Sequence, residues 1–182
     1  MYVTQIPEHQ FVARTVLGEV EETYRVLGLP GPEAREKALR LLERHGLAGL
    51  AERSLYRLSQ GQKRLVSLAA MEPLDRPVYL LDEPTFGLDM RYSLIVAREA
   101  EELAARGKAV VIVTHDSWLP AILDSRVYGL AEGRVVFEGS FEELLEDRRV
   151  WEALSFKPPR MLEEGGAEAL PEYRARVRGA AA

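Results

Sequence analysis

One short polar segment of the sequence has residue types that suit the binding of an anion. It is "LSQGQ", residues 58–62, in which Ser59 is a good helix N-cap and Gly61 would let the backbone come close to a bound group. The helix that begins there would direct its positive end and its free N–H groups at that anion. The structural alternative is an ordinary cap on a core helix, with Leu65 facing inward. Taken alone, the segment favours that alternative.

A second polar segment, "LLDEP", follows a run of apolar residues at 78–81. Open α/β sheets bind ligands at the carboxyl ends of such strands, where Asp82 and Glu83 stand. Asp82 could hold Mg²⁺, which binds few protein oxygens and keeps several waters. Glu83 could face the other way and polarise an attacking water as a general base. The alternative is a strand end that simply turns polar, and so short a motif does not decide between them.

Two further polar residues follow extended segments. His115 comes directly after "VVIVT", and Gln5 ends the first extended piece, "MYVTQ". An imidazole at a sheet edge can donate a hydrogen bond to a phosphate oxygen. Either residue by itself is more often structural. For His9 and His45 the sequence suggests no catalytic role.

The elements that must position these residues change character along the chain. The first third is helical: apolar residues repeat on one helical face over 15–27, and Pro32 and Gly46 suit the start and the end of a second helix. Pro73 should end the helix that follows the "LSQGQ" turn. The later part predicts strands at 78–82 and 109–114, a helix at 92–106 between them, a β-hairpin with its turn at 131–133, and a helix capped by Ser140 and Glu143.

These strands are short and rich in β-branched residues, which is typical of a parallel sheet buried on both faces. The predicted fold class is therefore α/β, with a helical subdomain, part of a mainly parallel sheet with flanking helices, and a C-terminal β-hairpin. We expect three parts, 1–57, 58–156 and a tail at 157–182, the last loosely packed or partly helical.

The amino-acid composition excludes several classes of protein. The chain has 182 residues, 47% of them apolar, which is enough for one globular domain. It contains no cysteine, which excludes disulfides and thiolate metal sites and fits a reducing, cytoplasmic setting. The longest aliphatic run, 109–113, is far too short to span a membrane, and the N-terminus has no signal-peptide pattern. A net charge of −5 argues against a nucleic-acid partner.

Taken together, the order and spacing of these motifs closely resemble the ATP-binding-cassette (ABC) ATPases, from Gln5 to about Gly139. The resemblance implies ATP and Mg²⁺ as cofactors. It also implies a role for each matched position: Gln5 as the metal-sensing and catalytic glutamine of the Q-loop, Ser59, Gln60, Gly61 and Gln62 as the signature turn, Asp82 as the Mg²⁺-binding aspartate, Glu83 as the catalytic base, Asp89 as the D-loop aspartate, and His115 as the switch histidine.

A finer resemblance lies in "QIPEHQF", residues 5–11. A glutamine followed by Pro-Glu-X-Gln-Phe is similar to the ATPases of energy-coupling-factor transporters, which import vitamins and transition metals such as cobalt. This resemblance implies a second cassette as a partner, and a transmembrane coupling subunit that docks on the helical subdomain. It also implies a peripheral position on the inner face of the cell membrane.

The sequence departs from the family pattern in one respect, because it contains no GxxxxGK[ST] phosphate-binding loop. The Gly-Lys pair at 107–108 ends a helix and lacks the rest of the motif. In the family, each signature turn caps the nucleotide held by the partner cassette. The sequence therefore predicts no appreciable ATPase activity from residues 1–182 alone, and an exposed apolar sheet edge and face.

Three functional hypotheses follow. In the first, the chain is the C-terminal portion of an importer ATPase. In the second, it is a non-hydrolytic module that completes a partner's ATP site through Ser59 and Gly61. The third, a soluble ABC ATPase acting on DNA or ribosomes, is disfavoured by the negative charge and the lack of a heptad repeat.

Overall fold

The structure is a computed structural model that describes residues 1–179. Its contacts divide the chain into two compact units, Met1–Val113 and Thr114–Ala182. The boundary at 113/114 differs from the predicted ones at 57/58 and 156/157. That three-part division stays a prediction.

The first unit contains four α-helices and several short 3-10 turns. The predicted helices over 15–27 and in the segment ending at Gly46 are confirmed, the first with Thr15 as its N-cap. The third ends just before Pro73, as the sequence predicts, and a 3-10 turn follows it. The bounds are α1 (Val16–Val26), α2 (Gly31–Arg44), α3 (Gln60–Met71) and α4 (Met90–Ala105), with 3-10 turns at Pro7–His9, Ala48–Leu50, Leu55–Arg57 and Glu72–Leu74.

The sheet of this unit is parallel throughout and has three strands in the order β1-β2-β3. Its strands are β1 (Tyr2–Val3), β2 (Val78–Asp82) and β3 (Ala109–Val113). The helix α4 joins β2 to β3, so the predicted strand–helix–strand unit is confirmed.

Only one face of the sheet is covered among the described residues. Val3 and Leu81 are buried on the face that packs against Val96 of α4. On the other face, Leu80 is 43% exposed and Val113 is 58% exposed. The expectation of burial on both faces is therefore wrong for the described residues, whereas the expected exposed apolar face is confirmed. Periodicity shows which side chains are apolar, but not what lies over them.

The helix α3 packs between the helical part and the sheet. Leu65 and Val66 contribute to a core formed with α1 and α2, whereas Leu68 and Met71 contribute to the core under the sheet. Because both sides of α3 are covered, almost all of its residues are buried. The helix therefore connects the two cores of this unit.

The second unit consists of a β-hairpin and short helices. The hairpin turn falls at Glu132 and Gly133, both with positive φ, and Ser140 forms the predicted capping box with Glu143. The bounds are α5 (Trp118–Ile122), β4 (Val127–Ala131), β5 (Arg134–Gly139), α6 (Phe141–Glu146), α7 (Arg148–Leu154), α8 (Arg160–Gly165) and α9 (Leu170–Gly179).

The predicted tail is more ordered than its composition suggests. Leu162 and Leu170 are buried in a cluster with Phe141, and Arg174 donates a hydrogen bond to the Ala121 carbonyl at 2.8 Å. The tail is thus partly helical, as expected, but it is not loosely packed. Residues 180–182 of the predicted tail lie outside the described residues.

Candidate functional site at the carboxyl edge of the parallel sheet

The parallel pairing of β1 with β2 brings the predicted site residues of two segments to one sheet edge. Val3 lies opposite Leu81 in the parallel pair, so the carboxyl ends of β1 and β2 lie at the same edge of the sheet. Gln5 follows β1 at this edge, Asp82 is the last residue of β2, and Glu83 comes next. This edge is where open α/β sheets bind ligands.

Asp82 has a neighbour that the sequence did not indicate. The Tyr2 hydroxyl donates a hydrogen bond to Asp82 Oδ2 at 2.7 Å across the β1–β2 pair. This bond, together with the negative charge of Asp82, raises the pKa of the Tyr2 phenol. Tyr2 therefore holds one carboxylate oxygen in place at the sheet edge. A tyrosine in a two-residue strand carries no motif, so sequence inspection missed it.

Glu83 has an unusual backbone conformation. Its φ is +43°, in the left-handed region that a non-glycine residue adopts at a cost of about 1–2 kcal/mol. The conformation is held from both sides, because the Glu83 N–H donates to the Val113 carbonyl at 2.9 Å and the Glu83 carbonyl accepts from the Phe86 N–H at 3.1 Å. The chain thus turns sharply away from the sheet at the residue predicted to be the base.

The turn at the start of α3 has the local structure that its sequence predicts. Ser59 Oγ accepts from the Gln62 N–H at 3.3 Å, and Gln62 Oε1 accepts from the Ser59 N–H at 3.1 Å. This reciprocal capping box fixes the backbone of the turn. Ser59 and Gln60 are exposed, so the turn faces solvent at the positive end of the helix.

Gly61 is required for a reason that the sequence did not suggest. A Cβ built at this position would lie 2.4 Å from Cγ of the Tyr92 ring, which no real packing tolerates. Tyr92 is itself held by Asp89, which caps α4 by accepting a hydrogen bond from the Tyr92 N–H at 2.9 Å. Asp89 and Gly61, predicted separately, are therefore linked through one aromatic ring.

Two basic residues that follow the turn contact the segment that carries Gln5. Arg64 is 1% exposed and donates to the carbonyl oxygens of Thr4 at 2.7 Å and Gln5 at 2.6 Å. Lys63 donates to Glu8 Oε1 at 2.6 Å. Burial is the largest single influence on the pKa of Glu8 and raises it, but the hydrogen bond and charge of Lys63, together with further hydrogen bonds to the carboxylate, lower the net pKa.

His115 belongs to the other compact unit. It is an exposed residue of the second unit, in the loop between β3 and α5, where the Asp116 N–H donates to Thr114 Oγ1 at 3.0 Å. Gln5, Asp82 and Glu83 share one sheet edge within the first unit, and the signature turn is tied to the Gln5 segment. The catalytic and binding roles of all these residues stay predictions.

Comparisons with known proteins indicate the family of this chain. The ABC transporter family matches residues 2–86. The chain is 40% identical over 143 residues to the putative HMP/thiamine import ATP-binding protein YkoD of Bacillus subtilis, covering 79% of this chain and 25% of the relative. It is 32% identical over 158 residues to the energy-coupling factor transporter ATP-binding protein EcfA of Methanothermobacter thermautotrophicus, covering 87% of this chain and 51% of the relative.

A solved structure supports the fold. The cbiO1 protein of Clostridium perfringens, described as part of the ABC transporter complex cbiONQ, superposes with a TM-score of 0.70 at 29% identity, covering 90% of this chain and 66% of that one. The chain spans about half the length, or less, of the two relatives above. By sequence and by fold, it is therefore a partial ATP-binding cassette of the ABC transporter ATPases.

Proposed function

We propose that this chain is the C-terminal portion of the ATP-binding subunit of an importer of the energy-coupling-factor type, which couples ATP hydrolysis to the uptake of a vitamin or a transition metal. The observation that carries the proposal is the grouping of Gln5, Asp82 and Glu83 at one sheet edge, in a chain whose Arg64 ties that edge to the signature turn. The names of the relatives, which include a thiamine importer and energy-coupling-factor proteins, support the substrate class.

The donor set suits Mg²⁺ in the presence of a nucleotide. Among residues 1–179, no group of three or more His, Asp or Glu side chains could hold a metal by itself. Mg²⁺ needs little more than one carboxylate, because phosphate oxygens and waters complete its octahedron. Asp82 would hold the ion, and the Tyr2 hydroxyl on Oδ2 would orient the carboxylate. Gln5 would add a second protein contact from the neighbouring strand.

Hydrolysis would use the remaining residues as follows. Glu83 would accept the proton of an attacking water, and its fixed backbone would hold the carboxylate in one direction. His115 would donate a hydrogen bond to a phosphate oxygen. Bound Mg²⁺ and ATP supply the phosphoryl chemistry itself. The loop that cradles the phosphates is not among residues 1–182, so these assignments apply to a protein that contains one.

The signature turn would act on a second cassette. Ser59, Gln60, Gly61 and Gln62 would cap the nucleotide of a partner, because the turn faces solvent with a fixed backbone and the positive end of α3 behind it. Asp89 would stand beside it as the D-loop residue. A head-to-tail pair of cassettes follows from this proposal.

A transmembrane subunit would dock on the helical part. A cavity of about 240 Å³ lies there, lined mostly by apolar side chains, among them Phe11, Val26 and Met71, with Glu19 at its wall. No helix within the described residues is long and apolar enough to cross a membrane. Docked on such a subunit, the chain would sit on the inner face of the cell membrane.

The test is hydrolysis by the native protein. We would first measure its intact mass and N-terminal sequence from native cells, and then its ATPase activity in wild-type and Glu83→Gln forms. If a phosphate loop is present, Glu83→Gln should lower steady turnover by roughly 10²–10⁴-fold, because the general base is lost. Glu102→Gln, an exposed carboxylate on α4, is the matched control. Undiminished turnover in Glu83→Gln would contradict the proposal.

A second candidate function is a non-hydrolytic module that completes a partner's ATP site. It is favoured by a well-formed signature turn in a sequence that contains no GxxxxGK[ST] loop. A native mass of 20.5 kDa would favour it. In that case, adding this chain to a partner cassette should raise the partner's ATPase rate, and Ser59→Ala should reduce that effect.

A further inference from the structure

The two basic residues behind the signature turn are buried against the electrostatic preference of their position. Lys63 is 9% exposed and Arg64 1% exposed, and they are the fourth and fifth residues of α3, close to the positive end of the helix dipole, which disfavours positive charge. A buried charge is tolerated only with good partners. Both residues donate side-chain hydrogen bonds to one segment, 4–8, which begins where β1 ends.

Arg64 is directed at the main chain and not at a carboxylate. Its two terminal nitrogens donate to the adjacent carbonyls of Thr4 and Gln5, while its Nε and the buried Glu8 Oε2 have no hydrogen-bond partner among residues 1–179. The planar guanidinium fixes the direction of two successive peptide groups, which a single ammonium could not do.

The same segment has further hydrogen bonds to Gln10, which follows it, and Glu8 also accepts one from the Gln60 side chain of the signature turn. Gln10 accepts from the Thr4 N–H at 3.2 Å and donates to the Tyr2 carbonyl at 2.8 Å. The Gln5 side chain is exposed, so its direction depends on the backbone that Arg64 holds. One residue separates Arg64 from Gln62, whose side chain closes the capping box of the signature turn.

We propose that Arg64 is a positioning residue that transmits displacements of the signature turn to the Gln5 segment, with Lys63 and Glu8 as a second tie. A nucleotide contacted by Ser59 on one side of the cassette would thereby affect Gln5 at the sheet edge of the same chain. That consequence rests on the proposed function. The transmission of displacements by Arg64 does not depend on that function, and it can be tested without nucleotide.

The first test uses hydrogen exchange of residues 1–182. Arg64→Lys should speed exchange of the Thr4 and Gln10 amides by about tenfold, since a charge-assisted pair of bonds is lost. The Val12 and Ala13 amides, which donate to Glu19 Oε2, serve as internal controls and should not change.

The matched control is Arg57→Lys, an exposed arginine just before the turn, which should leave the Thr4 and Gln10 amides unchanged. If Arg64→Lys does not fold, Glu8→Gln weakens the second tie and should speed the same amides by a smaller factor. Exchange in the segment equal to wild type in a folded Arg64→Lys or Glu8→Gln protein would overturn the proposal.

A double-mutant cycle separates transmission from simple support. Ser59→Ala, which removes the cap, should speed exchange of the Gln10 amide in the wild-type background but have a much smaller additional effect in Arg64→Lys. Equal effects in the two backgrounds would mean that Arg64 only stabilises the fold.

A separate experiment measures kcat and KM for ATP hydrolysis, using the longer native protein if that protein is active. There Arg64→Lys should lower kcat several-fold with little change in KM, because Gln5 would be misplaced while the nucleotide still binds. If Arg64→Lys changes amide exchange in the Gln5 segment but not kcat, the contact made by Arg64 is supported and the proposed role of Gln5 is contradicted. Unchanged exchange would refute the tie whatever the enzyme does.

Discussion

The strongest pH-dependent interaction in the first unit centres on His45, at the C-terminal end of α2. Its Nε2 lies 2.8 Å from Glu72 Oε2, and its Nδ1 lies 3.3 Å from Glu99 Oε1. Only 9% of the His45 side chain is exposed. With a carboxylate on each ring nitrogen, the imidazole is held in its charged form. The hydrogen bond to Glu72 is the largest cause that raises the His45 pKa from 6.5 to about 9.

We predict that His45→Gln destabilises the protein in a pH-dependent way. A pKa raised on folding stabilises the folded state fully below the unfolded value of 6.5, and this stabilisation is lost as the pH rises through about 9. At about 1.36 kcal/mol per pKa unit, the free energy of unfolding should fall by roughly 3 kcal/mol near pH 5.5 and by less than about 1 kcal/mol near pH 10. The pKa of Glu72, lowered to about 2 chiefly by the same hydrogen bond, describes the same pair from the other side and is not added.

The assay is urea unfolding of wild type and His45→Gln at several pH values. Both tryptophans, Trp118 and Trp151, lie in the second unit, so their fluorescence follows that unit. Far-ultraviolet circular dichroism also follows the helices of the first unit, and a transition seen by dichroism alone belongs there. His9→Gln, an exposed histidine, is the matched control and should show no such pH dependence.

A difference in unfolding free energy between wild type and His45→Gln that stays constant from about pH 5.5 to pH 10 would refute the reasoning. It would mean that His45 is not held charged in the folded protein. A difference that grows with rising pH would refute it more strongly, since the sign of the linkage would be reversed.

Two further predictions concern the candidate site. Gly61→Ala should lower the free energy of unfolding by about 1–3 kcal/mol, because its Cβ would overlap the Tyr92 ring, whereas Gly49→Ala, with open space around it, should have a much smaller effect in the same thermal unfolding assay. Asp82→Asn should lower the pKa of the Tyr2 phenol toward its ordinary value, because the hydrogen bond to a charged acceptor is lost, and NMR of labelled tyrosine would detect it. An unchanged Tyr2 titration would contradict the contact.

Much of the backbone was predictable from local signals. The apolar stripe of α1, the proline and glycine at the ends of α2, and the β-branched runs of β2 and β3 each act over a few residues, so they specify an element without knowledge of the rest. The turn at Glu132 and Gly133 and the capping box at Ser140 are equally local. Prediction from periodicity failed where an outcome depended on distant residues, as in the expected burial of both sheet faces and in the packing of Leu162.

The motifs of the candidate site could be predicted from the sequence, but the contacts between them could not. Ser59, Asp82 and Glu83 could be identified because each has a short pattern around it. The partners of Arg64 lie about sixty positions away in the sequence, and nothing in the basic pair shows whether it faces solvent or the interior. The same holds for Tyr92, since only the folded chain brings its ring against Gly61.

These connections place polar anchors at both ends of α3, with an apolar middle between them. Arg64 binds the Gln5 segment near the N-terminal end. Directly after the C-terminal end, Glu72 accepts hydrogen bonds from His45 and Arg106, which follow α2 and α4 respectively. A helix of 12 residues is about 18 Å long and bends little over that distance. Because its middle fills both cores, α3 cannot shift at one end without displacing the other. We therefore expect a displacement at the signature turn to reach the Gln5 segment first and the His45 cluster second, and weakening either anchor should uncouple only its own end.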